Sequence, residues 1–190
     1  MTVAGVVLAA GGGRRFAASG GEGSKLLALL DGRPLVAHVL AAASTVGFDE
    51  LLLVQGAVDL SVYRSEGVRV LVNDRWAEGL ATSLQVALAH ASGAGHDAVV
   101  VGLADQPAVS SAAWAAVSAA GNDPPIAVAT YDGHRGNPVR LAATVWGQVP
   151  TTGDAGARRL MRERPDLVRA VPCTGQSWDV DTVEDLDRWS

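Results

Sequence analysis

The sequence predicts an α/β fold, a single Rossmann-like three-layer sandwich with a mostly parallel sheet. Short apolar runs alternate along the chain with segments of helical spacing, which is typical of helices packed on a parallel sheet. The run 98–103 contains three consecutive valines and is typical of a strand buried on both faces. No repeat or long linker divides the chain, so residues 1–190 are expected to form one domain.

Apolar spacing and turn residues predict the individual elements. Strands are expected at 3–10, 48–54, 68–72, 98–103 and 126–131. Helices are expected at 34–43, with Pro34 in the first turn, at 79–91, at 110–120, capped by Ser110 or Ser111, at 153–163 and at 182–189. Ligands of such sheets bind beyond the carboxyl ends of the strands, so the loops after the strands at 3–10 and 98–103 are candidate sites.

Composition excludes several classes of protein. The chain is 48% hydrophobic and 18% charged, which excludes a disordered protein, and its net charge of -5 disfavours a general binder of nucleic-acid backbones. No apolar run reaches the roughly 18 residues of a membrane-spanning helix. The start of the sequence lacks the basic residues of a secretory signal. Because Cys173 is the single cysteine, we expect a cytoplasmic protein.

A glycine-rich loop after the first strand has the composition of a phosphate-binding loop. Gly11–Gly13 let backbone N–H groups approach an anion, and Arg14, Arg15 and Lys25 add positive charge. Lys25 is the only lysine among 15 Lys and Arg residues, and its compact ammonium suits a narrow phosphate site. Leu26 after Lys25 excludes a Walker loop, and Phe16 replaces the third glycine of the dinucleotide fingerprint. An ordinary surface loop is the alternative.

Acidic residues mark two other places. Asp105 follows the run 98–103 and is expected at the carboxyl edge of the sheet. Asp179 and Asp181 alternate in an extended segment, so they share a face and repel unless a cation lies between them. A divalent cation such as Mg²⁺ fits this arrangement. The alternatives are an Asx turn at Asp105 and a capping box of Asp181 with Glu184.

The segment 73–84 places small polar residues at a predicted helix start. Gly79 and Ser83 offer backbone and hydroxyl groups to a flat polar ring such as a nucleobase. Helix capping by Thr82 or Ser83 is the alternative.

The remaining polar residues are assigned structural roles. The histidines show no paired spacing for a metal, Cys173 is assigned to a strand, and three acids are assigned to a solvated helix face. These residues are His38, His90, His96 and His134 among the histidines and Glu184, Asp185 and Asp187 among the acids.

Taken in order, these segments resemble the MobA/MocA-type nucleotidyltransferases, with the closest likeness to molybdenum cofactor cytidylyltransferases. The matched motifs are 8–11 with Arg15 and Lys25, then 76–83, 103–107, 136–138, 153–158 and 179–182. The resemblance implies a nucleotide-diphospho-sugar transferase-like fold, with nucleotide binding in the N-terminal half and acceptor binding in the C-terminal half. Two features depart from the family: Ala17 replaces a usual glycine at the start of an insertion at 17–24, and Asn137 stands where histidine is common.

The reaction implied by this resemblance is Mg²⁺-dependent transfer of CMP from CTP to the terminal phosphate of molybdenum cofactor (molybdopterin), with release of pyrophosphate. The residue roles implied are catalysis by Arg15, Lys25 and Asp105; nucleotide binding by Leu8, Ala9, Ala10, Gly11, Gly12, Gly13, Arg15, Lys25, Gly79 and Ser83; metal binding by Asp105, Asp179 and Asp181; and acceptor binding by Asn137, Asp154 and Arg158. Ala10 implies cytosine, because guanylyl-transferring relatives carry glycine at this position.

Other functions stay open at this point. GMP transfer to molybdenum cofactor or to a phospholactate acceptor, and nucleotidyl transfer to a sugar or polyol phosphate, are the enzymatic alternatives. A non-catalytic nucleotide-binding module and a purely structural domain are the alternatives outside enzymes. Neither nucleic acid nor membrane is an expected partner, whereas a transient contact with a molybdoenzyme or its chaperone is.

Overall fold

A seven-stranded sheet forms the centre of the molecule in the computed structural model, which describes residues 1–188 apart from the side chains of residues 65 and 66. Its strands are β1 (Val3–Ala9), β4 (Glu50–Gln55), β5 (Arg69–Val72), β6 (Ala98–Leu103), β7 (Ile126–Tyr131), β8 (His134–Ala142) and β9 (Val168–Pro172), and a separate hairpin is formed by β2 (Leu29–Leu30) and β3 (Arg33–Pro34). The strand order is β5-β4-β1-β6-β8-β7-β9. Within the seven-stranded sheet only β8 runs antiparallel to its neighbours, so the predicted mostly parallel sheet is confirmed.

Helices cover both faces of this sheet. They are α1 (Arg14–Ala18), α2 (Leu35–Ser44), α3 (Leu80–Gly93), α4 (Ser111–Ser118), α5 (Arg158–Glu163) and α6 (Val183–Asp187), with short 3-10 helices at Lys25–Leu27, Ser61–Glu66, Trp76–Glu78, Ala143–Gln148 and Pro165–Leu167. Alternate residues of each central strand face opposite layers. Val7, for example, packs with α2 and α4, whereas Val6 packs with α3 and α5. The predicted three-layer sandwich is therefore confirmed.

The core depends on one close approach between a helix and a strand. Trp114 of α4 is fully buried and its ring lies directly over Gly102 of β6, where a Cβ atom would come within 2.4 Å of the indole. Phe48 completes this contact with an edge-to-face ring pair at 6.1 Å. Glycine at position 102 is therefore required for the helix to pack on the strand that leads to Asp105.

Several predicted boundaries are wrong by a few residues. Helix α5 begins at Arg158 rather than at residue 153, because Gly153 and Gly156 adopt positive φ values of 89° and 49° that interrupt helical geometry. Strand β4 begins at Glu50, and α2 begins at Leu35 with Pro34 as its N-cap. Ser110 is the cap of α4, as one of the two alternatives predicted.

The C-terminal helix also differs from its prediction. Helix α6 is Val183–Asp187, and the predicted end at Trp189 lies outside the described residues. Its capping box joins Thr182 with Asp185, so the predicted pairing of Asp181 with Glu184 is wrong by one residue. Asp185 therefore has a capping role rather than only a solvated position, and this leaves Asp181 available for other contacts.

Besides the short hairpin of β2 and β3, two strands of the seven-stranded sheet were not predicted, because polar residues break their apolar pattern. Strand β8 carries Arg140, which is fully buried, and its guanidinium donates to the carbonyl oxygens of Ser118 and Gly121 at the end of α4. Strand β9 is an edge strand with mostly exposed side chains. It ends at Pro172, so the assignment of Cys173 to a strand is wrong by one residue. Across residues 1–188, no helix is both long and apolar enough to cross a membrane.

Candidate active site

A cleft of about 570 Å³ opens at the carboxyl ends of β1 and β6. The predicted site residues that line it are Leu8, Ala9, Ala10, Gly11, Gly12, Gly13, Arg15, Lys25, Gly79, Ser83, Asp105, Asp154, Arg158, Asp179 and Asp181. Asn137 instead lines a smaller and more apolar cavity of about 40 Å³ beside it. The fold thus brings into one place segments that are up to about 170 positions apart in the chain.

The glycine loop forms one wall of the cleft. It follows β1 directly, and Gly13 adopts a left-handed φ of 61° from which α1 begins. A Cβ atom at Gly13 would come within 3.2 Å of the Cβ atom of Lys25, so the loop and the lysine are in close contact. The indole of Trp76 lies over Gly12, where a Cβ atom would come within 3.1 Å of the ring. The loop is thereby held between a lysine and an aromatic side chain.

Lys25 lies between two carboxylates from distant parts of the chain. Its side chain is only 11% exposed, and its Nζ donates to Asp105 Oδ2 at 2.7 Å and to Asp181 Oδ1 at 3.0 Å. Arg15 Nη1 donates to the other oxygen of Asp181 at 2.7 Å. The carboxylate of Asp105 therefore bonds to Lys25 and does not form the Asx turn that was the structural alternative.

The insertion at 17–24 is ordered and tied to the C-terminal segment. Ser19 Oγ accepts a hydrogen bond from the backbone N–H of Val183 at 3.0 Å, and Phe16 is buried under the turn at Gly21. Ser24 then caps the 3-10 turn that carries Lys25, accepting from the N–H of Leu26. The insertion thus joins the segment of Lys25 to the segment of Asp181.

The charges of the cleft are unequally compensated. Burial acts to lower the pKa of Lys25, but Asp105 and Asp181 outweigh it and raise the pKa, so the side chain stays protonated. Burial acts to raise the pKa of Asp181, but Lys25 and Arg15 outweigh it and lower the pKa. For Asp179 the compensation is incomplete: burial, followed by the charges of Asp105 and Asp181, raises its pKa above the ordinary value, and the hydrogen bond from Gln106 and the charge of Lys25 do not outweigh them.

Asp179 is held by an amide rather than by a cation. Gln106 Nε2 donates to Asp179 Oδ1 at 2.7 Å and to the carbonyl oxygen of Ser177 at 3.0 Å. Gln106 Oε1 accepts from Asn137 Nδ2 at 2.9 Å. Asn137, predicted on the acceptor side, is therefore connected through one amide to Asp179, predicted on the metal side.

The donor set of the cleft fits a hard divalent cation that also binds phosphate. Among residues 1–188, no three His, Cys, Asp or Glu side chains lie close enough together to hold a metal ion by themselves. Mg²⁺ in nucleotide sites needs only one or two carboxylates, because phosphate oxygens and water complete its shell. Asp105 Oδ1 is buried and has no hydrogen-bond partner within the described part of the chain, so the hydrogen-bonding capacity of this oxygen is unmet.

A network of hydrogen bonds joins the two ends of the segment predicted to contact a base. Asn73 Nδ2 donates to the hydroxyls of Thr82 and Ser83, both at 2.9 Å. The N-cap of α3 is Gly79, which has a φ of 110° and no side-chain cap, so helix capping by Thr82 or Ser83 is wrong. A Cβ atom at Gly79 would come within 2.5 Å of the backbone of Gly153, which brings the neighbouring Asp154 to the same part of the cleft.

Trp76 and Gln106 are among the residues at the site that were not assigned roles from the sequence. Trp76 lines the cleft, and the one signal for it was its place in the segment that resembles the family. Gln106 is 3% exposed and lies between Asp105 and a proline, where it reads as an ordinary turn residue. Its partners Asp179 and Asn137 are 73 and 31 positions away, so local sequence carried no sign of them.

The position of this cleft, at the carboxyl edge of a mostly parallel sheet, places the chain among the α/β proteins that bind nucleotides at their strand ends. Residues 5–168 match the MobA-like NTP transferase domain, and the chain belongs to this family. The predicted resemblance is thus confirmed, and family and relatives together point to nucleotidyltransferase activity.

Three relatives cover nearly the whole chain. Nicotine blue oxidoreductase from Paenarthrobacter nicotinovorans is 34% identical over 200 residues, which are 98% of this chain and 95% of the relative. The crystal structure of Rv0371c from Mycobacterium tuberculosis is 31% identical with a TM-score of 0.84, covering 100% of this chain and 97% of that one. A second structure of Rv0371c is a complex with manganese. A nucleotidyl transferase from Methanothermobacter is 25% identical with a TM-score of 0.81, covering 98% and 95% of the two chains.

Proposed function

We propose that the protein transfers CMP from CTP to the terminal phosphate of molybdenum cofactor, releases pyrophosphate and depends on Mg²⁺. One observation carries this proposal: the ammonium of Lys25 joins Asp105 and Asp181 beside the glycine loop, in a chain of the MobA-like family. We further propose that the N-terminal half binds the nucleotide and the C-terminal half the acceptor. The single cysteine supports a cytoplasmic location, where transient contact with a molybdoenzyme or its chaperone is proposed.

The chemistry is a single displacement at phosphorus. An oxygen of the acceptor phosphate forms a bond to the α-phosphorus of CTP, the bond from the α-phosphorus to the bridging oxygen of the β-phosphate breaks, and pyrophosphate leaves with the electron pair. The attacking oxygen is already anionic, so no side chain has to remove a proton. The protein therefore acts by positioning the two phosphates and by neutralising charge.

The residues of the cleft divide this task. Arg15 and Lys25 neutralise the triphosphate and the departing pyrophosphate, while Asp105 with Asp179 and Asp181 would hold Mg²⁺. When bound, Mg²⁺ supplies charge neutralisation between the two phosphates. In the free protein Lys25 is bound to carboxylates, so it has to exchange at least one of them for a phosphate oxygen when the nucleotide arrives.

The choice of base is proposed to lie with Ala10 and the segment after Trp76. Ala10 is buried at the end of β1, and Gly79 and Ser83 line the same cleft. A methyl group at position 10 leaves less room than the glycine of the guanylyl-transferring relatives. CTP is therefore proposed over GTP. Asn137, Asp154 and Arg158 are the proposed acceptor-side residues.

The test is a product assay with four nucleotides and several acceptors. The protein is incubated with Mg²⁺, each nucleoside triphosphate in turn, and molybdopterin, a phospholactate, a sugar phosphate or a polyol phosphate, and products are read by mass. We expect pyrophosphate and a cytidylylated product from CTP with molybdopterin. A guanylylated product, or transfer to another acceptor, assigns one of the alternative reactions. Release of no pyrophosphate from any pair contradicts the proposal.

A second candidate is an oxidoreductase reaction on the dye nicotine blue, which the name of the relative nicotine blue oxidoreductase favours. A reduced nicotinamide dinucleotide is one hydride donor that could serve such a reaction, although Phe16 replaces the third glycine of the dinucleotide fingerprint in the glycine loop. The discriminating measurement is loss of reduced nicotinamide absorbance when the dye is added. Dye-dependent oxidation without pyrophosphate release from any triphosphate assigns the second function.

A further inference from the structure

Gln106 occupies the junction between the two halves of the cleft. It follows Asp105, is 3% exposed, and uses both ends of its side-chain amide. Nε2 donates to Asp179 Oδ1 at 2.7 Å and to the carbonyl oxygen of Ser177 at 3.0 Å, and Oε1 accepts from Asn137 Nδ2 at 2.9 Å. A buried amide with both ends bonded cannot rotate without losing partners.

The chemistry of its partners determines which way this amide faces. A carboxylate and a carbonyl oxygen only accept hydrogen bonds, so the NH₂ end of Gln106 has to face Asp179 and Ser177. Reversal would place Oε1 against two acceptors. Asn137 then donates to Oε1, and its own backbone carbonyl accepts from the hydroxyl of Tyr131 at 2.7 Å. Along the hydrogen bonds from Tyr131 to Asn137, Gln106 and Asp179, each residue therefore donates to the next one.

This arrangement restricts the carboxylate of Asp179. Its Oδ1 is committed to Gln106, and the residue lines the main cleft, so Oδ2 is the oxygen left for a ligand there. A carboxylate that binds a cation is usually oriented by a hydrogen bond of this kind. Loss of the orienting partner therefore weakens binding of the cation, although that partner does not touch it.

We propose that Gln106 is a positioning residue that orients Asp179 toward the cation of the cleft and that Asn137 fixes Gln106 in this orientation. The inference rests on the proposed role of Asp179 in the nucleotidyl-transfer reaction. It gives Asn137 a task in addition to contact with the acceptor, because one N–H of its side-chain amide is already used by Gln106. These hydrogen bonds connect Asn137, a proposed acceptor-side residue, with Asp179, which is proposed to hold the cation.

The test measures Mn²⁺ affinity by electron paramagnetic resonance, with and without an α,β-methylene analogue of CTP that is not cleaved. Gln106→Met removes all three side-chain hydrogen bonds at similar volume, and Gln106→Glu places a carboxylate against Asp179. Loss of an orienting partner typically weakens metal binding by about 10–100-fold, and we expect this loss in both variants. Asn137→Ala is expected to weaken binding by less, and the double variant with Gln106→Met by no more than Gln106→Met alone.

A matched variant separates orientation from general stability. Gln85 also donates from a partly buried amide to two backbone carbonyls, those of Val149 and Pro150, but lies outside the main cleft. Gln85→Met is expected to lower the melting temperature as Gln106→Met does and to leave Mn²⁺ affinity within about twofold. Wild-type Mn²⁺ affinity in Gln106→Met overturns the inference, as does a wild-type protein that binds no Mn²⁺. If affinity falls as expected but no pyrophosphate is ever released, the reaction is wrong and the positioning role stands.

Discussion

Two charged clusters lie at opposite ends of the same sheet. The cleft cluster, at the carboxyl ends, consists of Lys25, Asp105, Asp179 and Asp181 together with Arg15. The Glu50 cluster, at the amino ends of β4 and β6, consists of Glu50 with Arg69, His90 and His96. The two histidines contact the same oxygen of Glu50, at 3.0 Å and 3.2 Å, although their spacing in the sequence showed no pairing.

The clusters differ in how completely their charges are matched. Burial acts to raise the pKa of Glu50, but hydrogen bonds to Arg69, His90 and His96 outweigh it and lower the pKa to about 2. In the cleft cluster, three carboxylates face two cations, and the pKa of Asp179 is raised. A matched cluster stabilises the fold, whereas unmatched carboxylates beside an open cleft store repulsion that a bound cation relieves. The difference in charge balance, together with position, supports the proposed functional role of the cleft cluster.

The largest expected effect is that of Asp105→Ala. It removes the buried oxygen that has no partner in the described chain and the carboxylate closest to Lys25. We expect pyrophosphate release to be abolished while CTP still binds at least weakly, measured by product assay and by equilibrium binding. Asp187→Ala, at an exposed position on α6, is the control. Undiminished turnover in Asp105→Ala rejects its role in metal binding.

Lys25→Ala is the next largest effect. The side chain neutralises charge that develops in the transition state, so we expect kcat to fall by about 100-fold or more. Lys25→Arg keeps the positive charge but not the compact shape, so we expect its kcat to lie between those of the wild type and Lys25→Ala. Steady-state kinetics measure both variants. A change below about threefold in Lys25→Ala would reassign the lysine to a structural counter-ion.

The two neighbouring acids should respond with opposite signs in the absence of nucleotide. Because the pKa of Asp179 is raised, its ionised form costs stability at neutral pH, and Asp179→Asn should raise the melting temperature by about 2 °C. Because the pKa of Asp181 is lowered by Lys25 and Arg15, Asp181→Asn should lower the melting temperature by about 2 °C. Calorimetry measures both melting temperatures. A shift of the melting temperature in the same direction in both variants would contradict the proposed difference in charge balance between the two acids.

The smallest effect is expected in the Glu50 cluster, and it depends on pH. The pKa of Glu50 is lowered from 4.5 to about 2, so its carboxylate contributes stability above pH 4.5 and loses this contribution as pH falls toward 2. Glu50→Gln should therefore lower the melting temperature at neutral pH by about 2–4 °C, with a difference from wild type that shrinks in acid. Turnover should stay within about twofold. A loss of turnover at constant stability would connect this cluster to catalysis.

Much of the site was predictable because each part carries a local signature. The glycine loop follows an apolar strand, Asp105 follows a run of valines, and Asp179 and Asp181 alternate in one segment. Gln106 and Trp76 could not be assigned in this way, because an amide or an indole has a role only through the groups that it meets. The same reason explains the missed strand β8, whose Arg140 is buried only because the end of α4 supplies carbonyl oxygens for it.

The sequence by itself determined the layers of this protein, since alternating apolar periodicities leave few ways to bury both faces of a parallel sheet. It also determined which chemical groups reach the carboxyl edge. Only the tertiary structure decided how those groups pair. Lys25 lies between Asp105 and Asp181, whereas Asp179 accepts a hydrogen bond from the amide of Gln106. The carboxylate of Glu50 is bonded to one arginine and two histidines. Pairing depends on distances of a few ångströms between residues far apart in the chain, and such distances are set by packing rather than by spacing.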